Sequence, residues 1–83
     1  MENKEKIRGF ILDNFLFTDD QSELSDAASF MDKGIVDSTG MLEIIYFIED
    51  EFKVKVEDEE MIPENLDSVN NIVNFLQQKS ASN

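Results

Sequence analysis

Residues 34–52 read GIVDSTGMLEIIYFIEDEF, and this stretch has the clearest helical pattern in the chain. A helix turns by about 100° per residue, so side chains three or four residues apart share a face. One face of the stretch is apolar and carries Met41, Ile44, Ile45, Ile48 and Phe52. We predict a helix from about Ser38 to Glu51 that packs on a core through this face. Asp37 or Ser38 can cap its free amides.

The opposite face of this helix mixes acidic and apolar side chains. Its members are Thr39, Leu42, Glu43, Tyr46, Glu49 and Asp50. Aromatic side chains supply contact energy at protein interfaces and charges steer the encounter, so this composition suits a surface that meets a partner. The alternative is that Tyr46 lies flat on the domain's own surface. Phe47 falls between the two faces, where we expect a neighbouring segment to cover it.

Two other segments repeat the helical spacing. The first helix is predicted from about Lys4 to Phe17. The last begins at a cap on Asp67 or Ser68 and ends near Lys79. The apolar positions of the first helix are Ile7, Phe10, Ile11 and Phe15. Those of the last helix are Val69, Ile72, Val73 and Leu76. Each helix therefore offers one apolar face to a shared core.

The segments between these helices are less regular. Residues 18–36 form a long first loop, which scattered apolar residues should pin to the core. These anchors are Leu24, Phe30, Met31, Ile35 and Val36. Residues 57–62 are predicted to form a short third helix, with acidic side chains at its start and Pro63 at its end. Residues 80–83 should fray.

The predicted fold is all-α, a small four-helix bundle with three main amphipathic helices, a short third helix and a long first loop. Its 83 residues suffice for one modest core. We therefore expect a single domain over residues 1–83, ordered from about residue 4 to 79, and a monomer.

The chain is strongly acidic, with 7 basic residues against 19 acidic ones and a formal net charge of −12. This charge repels phosphate backbones and anionic lipid surfaces, so neither a nucleic acid nor a membrane is an expected partner. Most of the excess lies in residues 37–67, where 11 acids and two lysines give −9. Two interpretations remain open for this region: a solvated face that keeps the protein soluble, or a docking surface for basic partners.

The cellular compartment is predicted from three features that the sequence lacks: a membrane span, a signal segment and cysteine. Its longest apolar run is five residues, Ile44 to Ile48, whereas a membrane-spanning helix needs about 20. The N-terminus lacks the charged and then apolar pattern of a signal segment. Without cysteine, the disulfides common in small secreted domains cannot form. We expect a soluble, cytoplasmic protein.

The sequence does not favour an enzyme, because it has neither the imidazole nor the thiolate that activates nucleophiles and binds zinc. The acidic run at residues 57–60 lacks the alternating ligands and glycine of a calcium-binding loop, so no specific metal site is predicted. Ser38 has two interpretations. It is either a helix cap or a modified serine, whose phosphate ester would meet the positive end of the helix. On the serine alone, the cap is favoured.

Residues 34–52, followed by Val56, the acidic run and Asp67-Ser68-Val69, resemble the acyl carrier protein and peptidyl carrier protein family. In that family an Asp-Ser-Leu motif opens helix II. The resemblance implies that a phosphopantetheinyl transferase, which recognises the motif containing Asp37, attaches 4′-phosphopantetheine from coenzyme A to Ser38. The thiol of this arm carries acyl or aminoacyl groups as thioesters.

The resemblance also assigns partners. Helix II is the family's recognition helix, which here presents the face running from Thr39 to Asp50 defined above. It would meet basic surfaces on an acyl- or aminoacyl-activating ligase and on downstream synthase or transferase enzymes. The chain would carry intermediates without catalysing their chemistry. The other hypothesis is a non-catalytic acidic interaction module that has the carrier fold but does not use the arm.

Two residues beside Ser38 depart from the family's pattern. Thr39 stands where leucine is usual, and Gly40 stands where fatty-acid carriers often have an acid. Gly40 removes a charge and is expected to loosen the first helical turn. Residues 63–68 also form a longer segment than the corresponding loop of fatty-acid carriers. These features resemble discrete carriers served by their own adenylating ligase, such as D-alanyl carriers, and leave fatty-acid, polyketide and nonribosomal peptide pathways open.

Overall fold

Helices account for the regular structure of the chain in a computed structural model that describes residues 2–82, with side chains for residues 3–79. The α-helices are α1, Glu2–Ile11; α2, Ser38–Phe52; α3, Pro63–Leu66; and α4, Val69–Ser82. A π-helical turn, Leu12–Leu16, extends α1, and 3-10 turns occupy Gln21–Glu23 and Asp58–Glu60. The predicted all-α bundle with a long first connection is confirmed. Along residues 2–82, no helix has the length and hydropathy needed to cross a bilayer.

One apolar cluster receives side chains from all four helices and from the first connection. In α2, the isoleucines of the predicted face are buried, and Met41 and Phe52 pack half-buried against the cluster. In α4, Phe75 is buried although its position was not predicted, whereas Val73 is only half-buried. The cluster's buried members are Ile7, Ile11, Leu12, Leu24, Phe30, Val36, Ile44, Ile45, Ile48, Val56, Leu66, Val69, Ile72, Phe75 and Leu76.

The first connection is pinned by some of its predicted anchors but not by all. Leu24, Phe30 and Val36 are buried, and Ile35 packs half-buried against them. The prediction that Met31 is an anchor is wrong, because 45% of this residue is exposed. Burial of its neighbour Phe30 holds the backbone here and leaves Met31 on the opposite side of the turn.

Arg8 of α1 holds the first part of this connection against α1 through hydrogen bonds. Its guanidinium donates to the backbone oxygens of Gln21 at 2.7 Å and Leu24 at 2.8 Å, and to the Asp26 carboxylate at 2.6 Å. Lys4 also pairs with Asp26, at 2.5 Å. Partial burial raises the pKa of Asp26, but the hydrogen bonds and charges of Lys4 and Arg8 outweigh it and hold this pKa below its ordinary value. The connection is thus tied to α1 by charge-assisted bonds.

The two residues predicted as alternative caps of the last helix have different roles. The Ser68 hydroxyl accepts a hydrogen bond from the Asn71 amide at 3.1 Å, so Ser68 satisfies a free amide of α4. The Asp67 carboxylate instead accepts hydrogen bonds from the Ser29 hydroxyl and from the Met31 amide. Its backbone oxygen accepts from the Phe30 amide at 2.7 Å. Asp67 therefore joins the end of the first connection to the start of α4.

The predicted third helix over residues 57–62 is wrong. That segment holds only the 3-10 turn Asp58–Glu60, and Pro63 begins α3 instead of ending a helix. Proline is favoured at the first helical position because the amide it lacks has no partner there. The tail predicted to fray from residue 80 is helical as far as Ser82, and Asn83 lies outside the described residues.

Candidate functional site

Ser38 is the first residue of α2, and it is exposed. Asp37 is the helix cap: its carboxylate accepts a hydrogen bond from the Gly40 amide at 2.7 Å. The Ser38 hydroxyl makes no side-chain hydrogen bond to any described residue. The interpretation of Ser38 as the cap is therefore wrong, and its hydroxyl is available to another molecule.

The position of Ser38 also suits a phosphate ester. It stands at the N-terminus of a 15-residue helix, where unpaired amides and the helix dipole favour negative charge. Asp37 satisfies one of these amides, that of Gly40, and the other amides at the start of a helix have no acceptor within the helix. A phosphodiester on the Ser38 oxygen would thus place its charge where the backbone is most positive.

Gly40, on the turn after Ser38, is buried rather than loose. A β-carbon at this position would lie 2.9 Å from Cε1 of Phe15 and 3.0 Å from Cγ1 of Val36. Contacts this short require a neighbour to move. The absence of a side chain therefore allows the Phe15 ring, from the π-helical turn, to pack against the start of α2. This close packing replaces the loosened turn that was expected.

An apolar cavity of about 230 Å³ opens beside Ser38. Apart from the Ser38 hydroxyl, the side chains that line it are apolar: Met31, Met41, Leu42, Ile45, Met61, Ile62, Pro63 and Leu66. Every methionine of the chain other than Met1 contributes to it. Methionine is flexible and fills irregular spaces, so the walls can adapt to what they enclose. We call this side of α2 the cavity flank.

Two walls of the cavity are held by polar contacts outside it. The Met31 amide donates to Asp67 at 3.0 Å. On the other side, the Glu60 carboxylate pairs with Lys79 of α4 at 2.9 Å. The Glu57 amide and then Lys79 stabilise the charged form of Glu60, so its pKa lies below its ordinary value. Sequence reasoning missed this cavity, because spacing within α2 does not reveal which loops cover its sides.

The opposite side of α2 faces α1 and forms an open groove, which we call the groove flank. Its lining residues are Phe10, Asn14, Glu43, Tyr46, Phe47 and Asp50. Phe10 and Phe47 stack with their ring centroids 4.2 Å apart, so a neighbouring segment covers Phe47 as expected. Tyr46 is 64% exposed, so its ring lies at the surface of the groove flank.

The residues predicted for the partner face do not all share one environment. Glu43, Tyr46 and Asp50 are exposed on the groove flank, and Thr39 is exposed beside Ser38. Leu42 lines the cavity and is 47% exposed. Glu49 is half-buried, and its carboxylate accepts a hydrogen bond from the Val56 amide at 2.9 Å. Among the described side chains, no cluster of three or more potential ligands could hold a metal ion.

Comparison with known proteins places the chain in a family. No protein-family model matches it. Over 75 residues, it is 36% identical to a protein named acyl carrier protein from Petrotoga mobilis (strain DSM 10674 / SJ95). The match covers 90% of this chain and 84% of that relative. With this identity over nearly the full length of both proteins, the chain belongs to the acyl carrier protein family.

Proposed function

We propose that the protein is a cytoplasmic carrier whose Ser38 oxygen bears 4′-phosphopantetheine and whose cargo is an apolar acyl group. The observation that carries the proposal is the state of Ser38. Its hydroxyl is exposed, free of the capping role that Asp37 performs, and adjacent to an apolar cavity. When bound, the arm supplies a thiol, the nucleophile that this cysteine-free chain lacks.

The attachment chemistry requires an external enzyme. No described carboxylate is hydrogen-bonded to Ser38, so the chain itself offers no base for its hydroxyl. A phosphopantetheinyl transferase would supply the base and orient coenzyme A, while Ser38 contributes the nucleophilic oxygen. The role of Asp37 is to fix the first turn of α2, and with it the direction in which the Ser38 oxygen points.

The cavity favours an acyl over an aminoacyl cargo. A charged ammonium group in it would find the Ser38 hydroxyl but no carboxylate among the lining residues, and burying an unpaired charge is costly. An aliphatic chain would instead exchange water for methionine, leucine and isoleucine side chains. Since a cavity of 150 Å³ can hold benzene, the present one has room for an aliphatic group of roughly eight carbons.

Loading and use of this cargo involve other proteins. We propose a discrete carrier that receives its acyl group from an activating ligase and delivers it to a synthase or transferase. The exposed Glu43, Tyr46 and Asp50 would meet basic surfaces on these enzymes. Thr39, exposed beside Ser38, would contact whichever enzyme handles the arm.

Arm transfer in vitro tests the proposal. Unmodified protein is incubated with coenzyme A, magnesium and a broad-specificity phosphopantetheinyl transferase, and the product is measured by intact mass spectrometry. We expect the wild type to gain one arm and Ser38→Ala to gain none. Ser25→Ala, at another exposed serine, is the matched control and should gain one arm.

Failure of the wild type with several transferases would contradict the proposal. Full biological activity of Ser38→Ala in the native host would instead support the interaction module, which uses the carrier fold without the arm.

A further inference from the structure

Two of the methionines that line the cavity, Met31 and Met61, are exposed to solvent. We propose that their thioethers are sites of reversible oxidation to sulfoxides, and that this oxidation weakens the binding of apolar groups in the cavity. The inference rests on the proposed function, in which an apolar acyl group occupies the cavity, and adds a means of controlling that cargo. Neither the oxidation nor the binding of a free apolar molecule requires the arm on Ser38.

The residues that line the cavity differ in burial. Ile45 and Leu66 are buried in the core and form its floor. Met31 and Met61 form part of its rim, with 45% and 39% of each residue exposed. Met41 is half-buried against the core. An oxidant that arrives from solvent therefore meets Met31 and Met61 before it meets Met41.

Backbone hydrogen bonds hold both rim methionines in place. The Met31 amide donates to the Asp67 carboxylate at 3.0 Å, and the Met31 carbonyl accepts from the Gly34 amide at 3.1 Å. The Met61 amide donates to the Asp58 carbonyl at 3.2 Å. Each methionine thus extends from a fixed point of the backbone, which keeps its side chain open to a small oxidant in solution.

The oxidant that the reaction needs is a hydroperoxide, of which hydrogen peroxide is the simplest. The thioether sulfur attacks one peroxide oxygen, and the O–O bond breaks. The sulfur loses two electrons and keeps that oxygen as a sulfoxide, while the other oxygen takes up the displaced proton and leaves as water. A methionine sulfoxide reductase returns the sulfoxide to the thioether. Because the chain has no cysteine, no thiol of its own competes for the oxidant.

A sulfoxide changes the cavity because its oxygen requires a hydrogen-bond donor. The described side chains that line the cavity supply one donor, the Ser38 hydroxyl. Sulfoxides at Met31 and Met61 would compete for this hydroxyl, and attachment of the arm would remove it. An apolar group that covers the rim would then bury a polar oxygen without a partner, which opposes binding.

The first test maps the oxidation. Protein without the arm is treated with hydrogen peroxide, and the peptides that contain Met31, Met41 and Met61 are quantified by mass spectrometry. We expect Met31 and Met61 to become sulfoxides several-fold faster than Met41. In the control, protein unfolded in urea, the three rates should be similar. Oxidation of Met41 in the folded protein at the rate of the other two would overturn the assignment of the rim sites.

The second test measures the binding of a free apolar probe, 1-octanol, by chemical-shift titration of ¹⁵N-labelled protein without the arm. Peroxide treatment should lower the affinity of the wild type roughly tenfold, because a polar oxygen then lies where the probe binds. Methionine sulfoxide reductases with dithiothreitol should restore the affinity. The proposal is overturned if the untreated protein does not bind the probe, if oxidation leaves the affinity unchanged, or if reduction does not restore it.

Leucine variants locate the effect, and each is compared with itself before and after peroxide treatment. Met31→Leu with Met61→Leu removes both sulfurs and keeps the rim apolar, so its affinity should not change on treatment. The matched control, Met41→Leu, keeps both rim sulfurs and should lose affinity as the wild type does. An equal loss in the double variant would place the effect at another residue and contradict the proposal. Because every sample lacks the arm, failure of arm transfer to Ser38 would leave these results unaffected.

Discussion

The two flanks of α2 differ in chemistry although one helix supplies both. The cavity flank uses Ser38, Met41, Leu42 and Ile45, and the groove flank uses Glu43, Tyr46, Phe47 and Asp50. Each groove position follows a cavity position by five residues, a rotation of about 140° around the helix. A short helix can therefore present an apolar, adaptable surface to a cargo and an acidic, aromatic surface to a partner without the two competing for side chains.

The flanks also differ in the conformational freedom of the side chains that line them. Methionines from three separate segments line the cavity, and they can change rotamer to suit a guest. The groove floor consists of rings held by stacking and edge-on contacts. We therefore expect the cavity to adapt its shape to a range of apolar groups and the groove to keep its shape.

The largest loss of stability should come from truncating a core side chain of the cavity flank. Ile45→Ala removes a side chain that both lines the cavity and belongs to the core, so it should lower the free energy of unfolding by roughly 2–4 kcal/mol. Ile44→Ala is the matched control, since Ile44 is buried in the core but does not line the cavity. Urea denaturation should show comparable losses for both variants.

The two variants should separate when cargo is present. For arm-bearing protein loaded with acyl chains of increasing length, the melting temperature should peak at a longer chain in Ile45→Ala than in Ile44→Ala. A peak at the same length in both would show that the acyl group does not occupy this cavity.

A smaller loss of stability is expected at Gly40, in the first turn of α2. A methyl group there must displace the Phe15 ring, so Gly40→Ala should lower the free energy of unfolding by roughly 1–2 kcal/mol despite alanine's higher helix propensity. In a Phe15→Ala background the ring is gone, and Gly40→Ala should become neutral or stabilising. Additive losses in the two backgrounds, measured by denaturant unfolding, would rule out this contact as the reason for the glycine.

Acid should weaken two ionic contacts of the fold, those of Asp26 with Lys4 and Arg8 and that of Glu60 with Lys79 beside the cavity. The pKa values of Asp26 and Glu60 are lowered in the folded state from reference values of 3.8 and 4.5. Folding thus favours the charged forms. The resulting stability is present above these reference values and is lost as the pH falls through the lower folded-state pKa values.

The variant Glu60→Gln lacks one of these carboxylates. Its urea midpoint should lie below that of the wild type at pH 7, and the difference should shrink as the pH falls below about 4. A difference that stays constant between pH 7 and pH 3 would show that the charge of Glu60 does not stabilise the fold.

The smallest effect concerns the unpaired acids of the groove flank. Glu43→Gln with Asp50→Asn relieves repulsion and should raise the melting temperature by roughly 1–2 °C at low ionic strength. Added salt screens the same repulsion, so the gain should vanish in 1 M salt. Glu51→Gln, which breaks a pair with Lys6, should give no such gain. A rise that persists at high salt would have to come from something other than charge.

The helical faces could be predicted from the sequence, because the spacing of Ile44, Ile45 and Ile48 fixes which side of α2 is buried. What covers the sides of a helix depends on loops, and loop geometry is set by contacts distant in sequence. The bonds of Asp67 to the first connection place Met31 in the cavity, and no local pattern indicates them. Pro63 begins a helix although it is predicted to end one, because a proline is tolerated both at the first position of a helix and just after its last.

The most direct test of the central claim is a mass measurement on the protein isolated from its native host. Intact mass, followed by fragmentation of the peptide that contains residues 34–52, reports whether Ser38 is modified and what the arm carries. We expect one 4′-phosphopantetheine on Ser38, with part of the population bearing an apolar acyl thioester. An unmodified Ser38 under conditions in which the protein is active would contradict the carrier function.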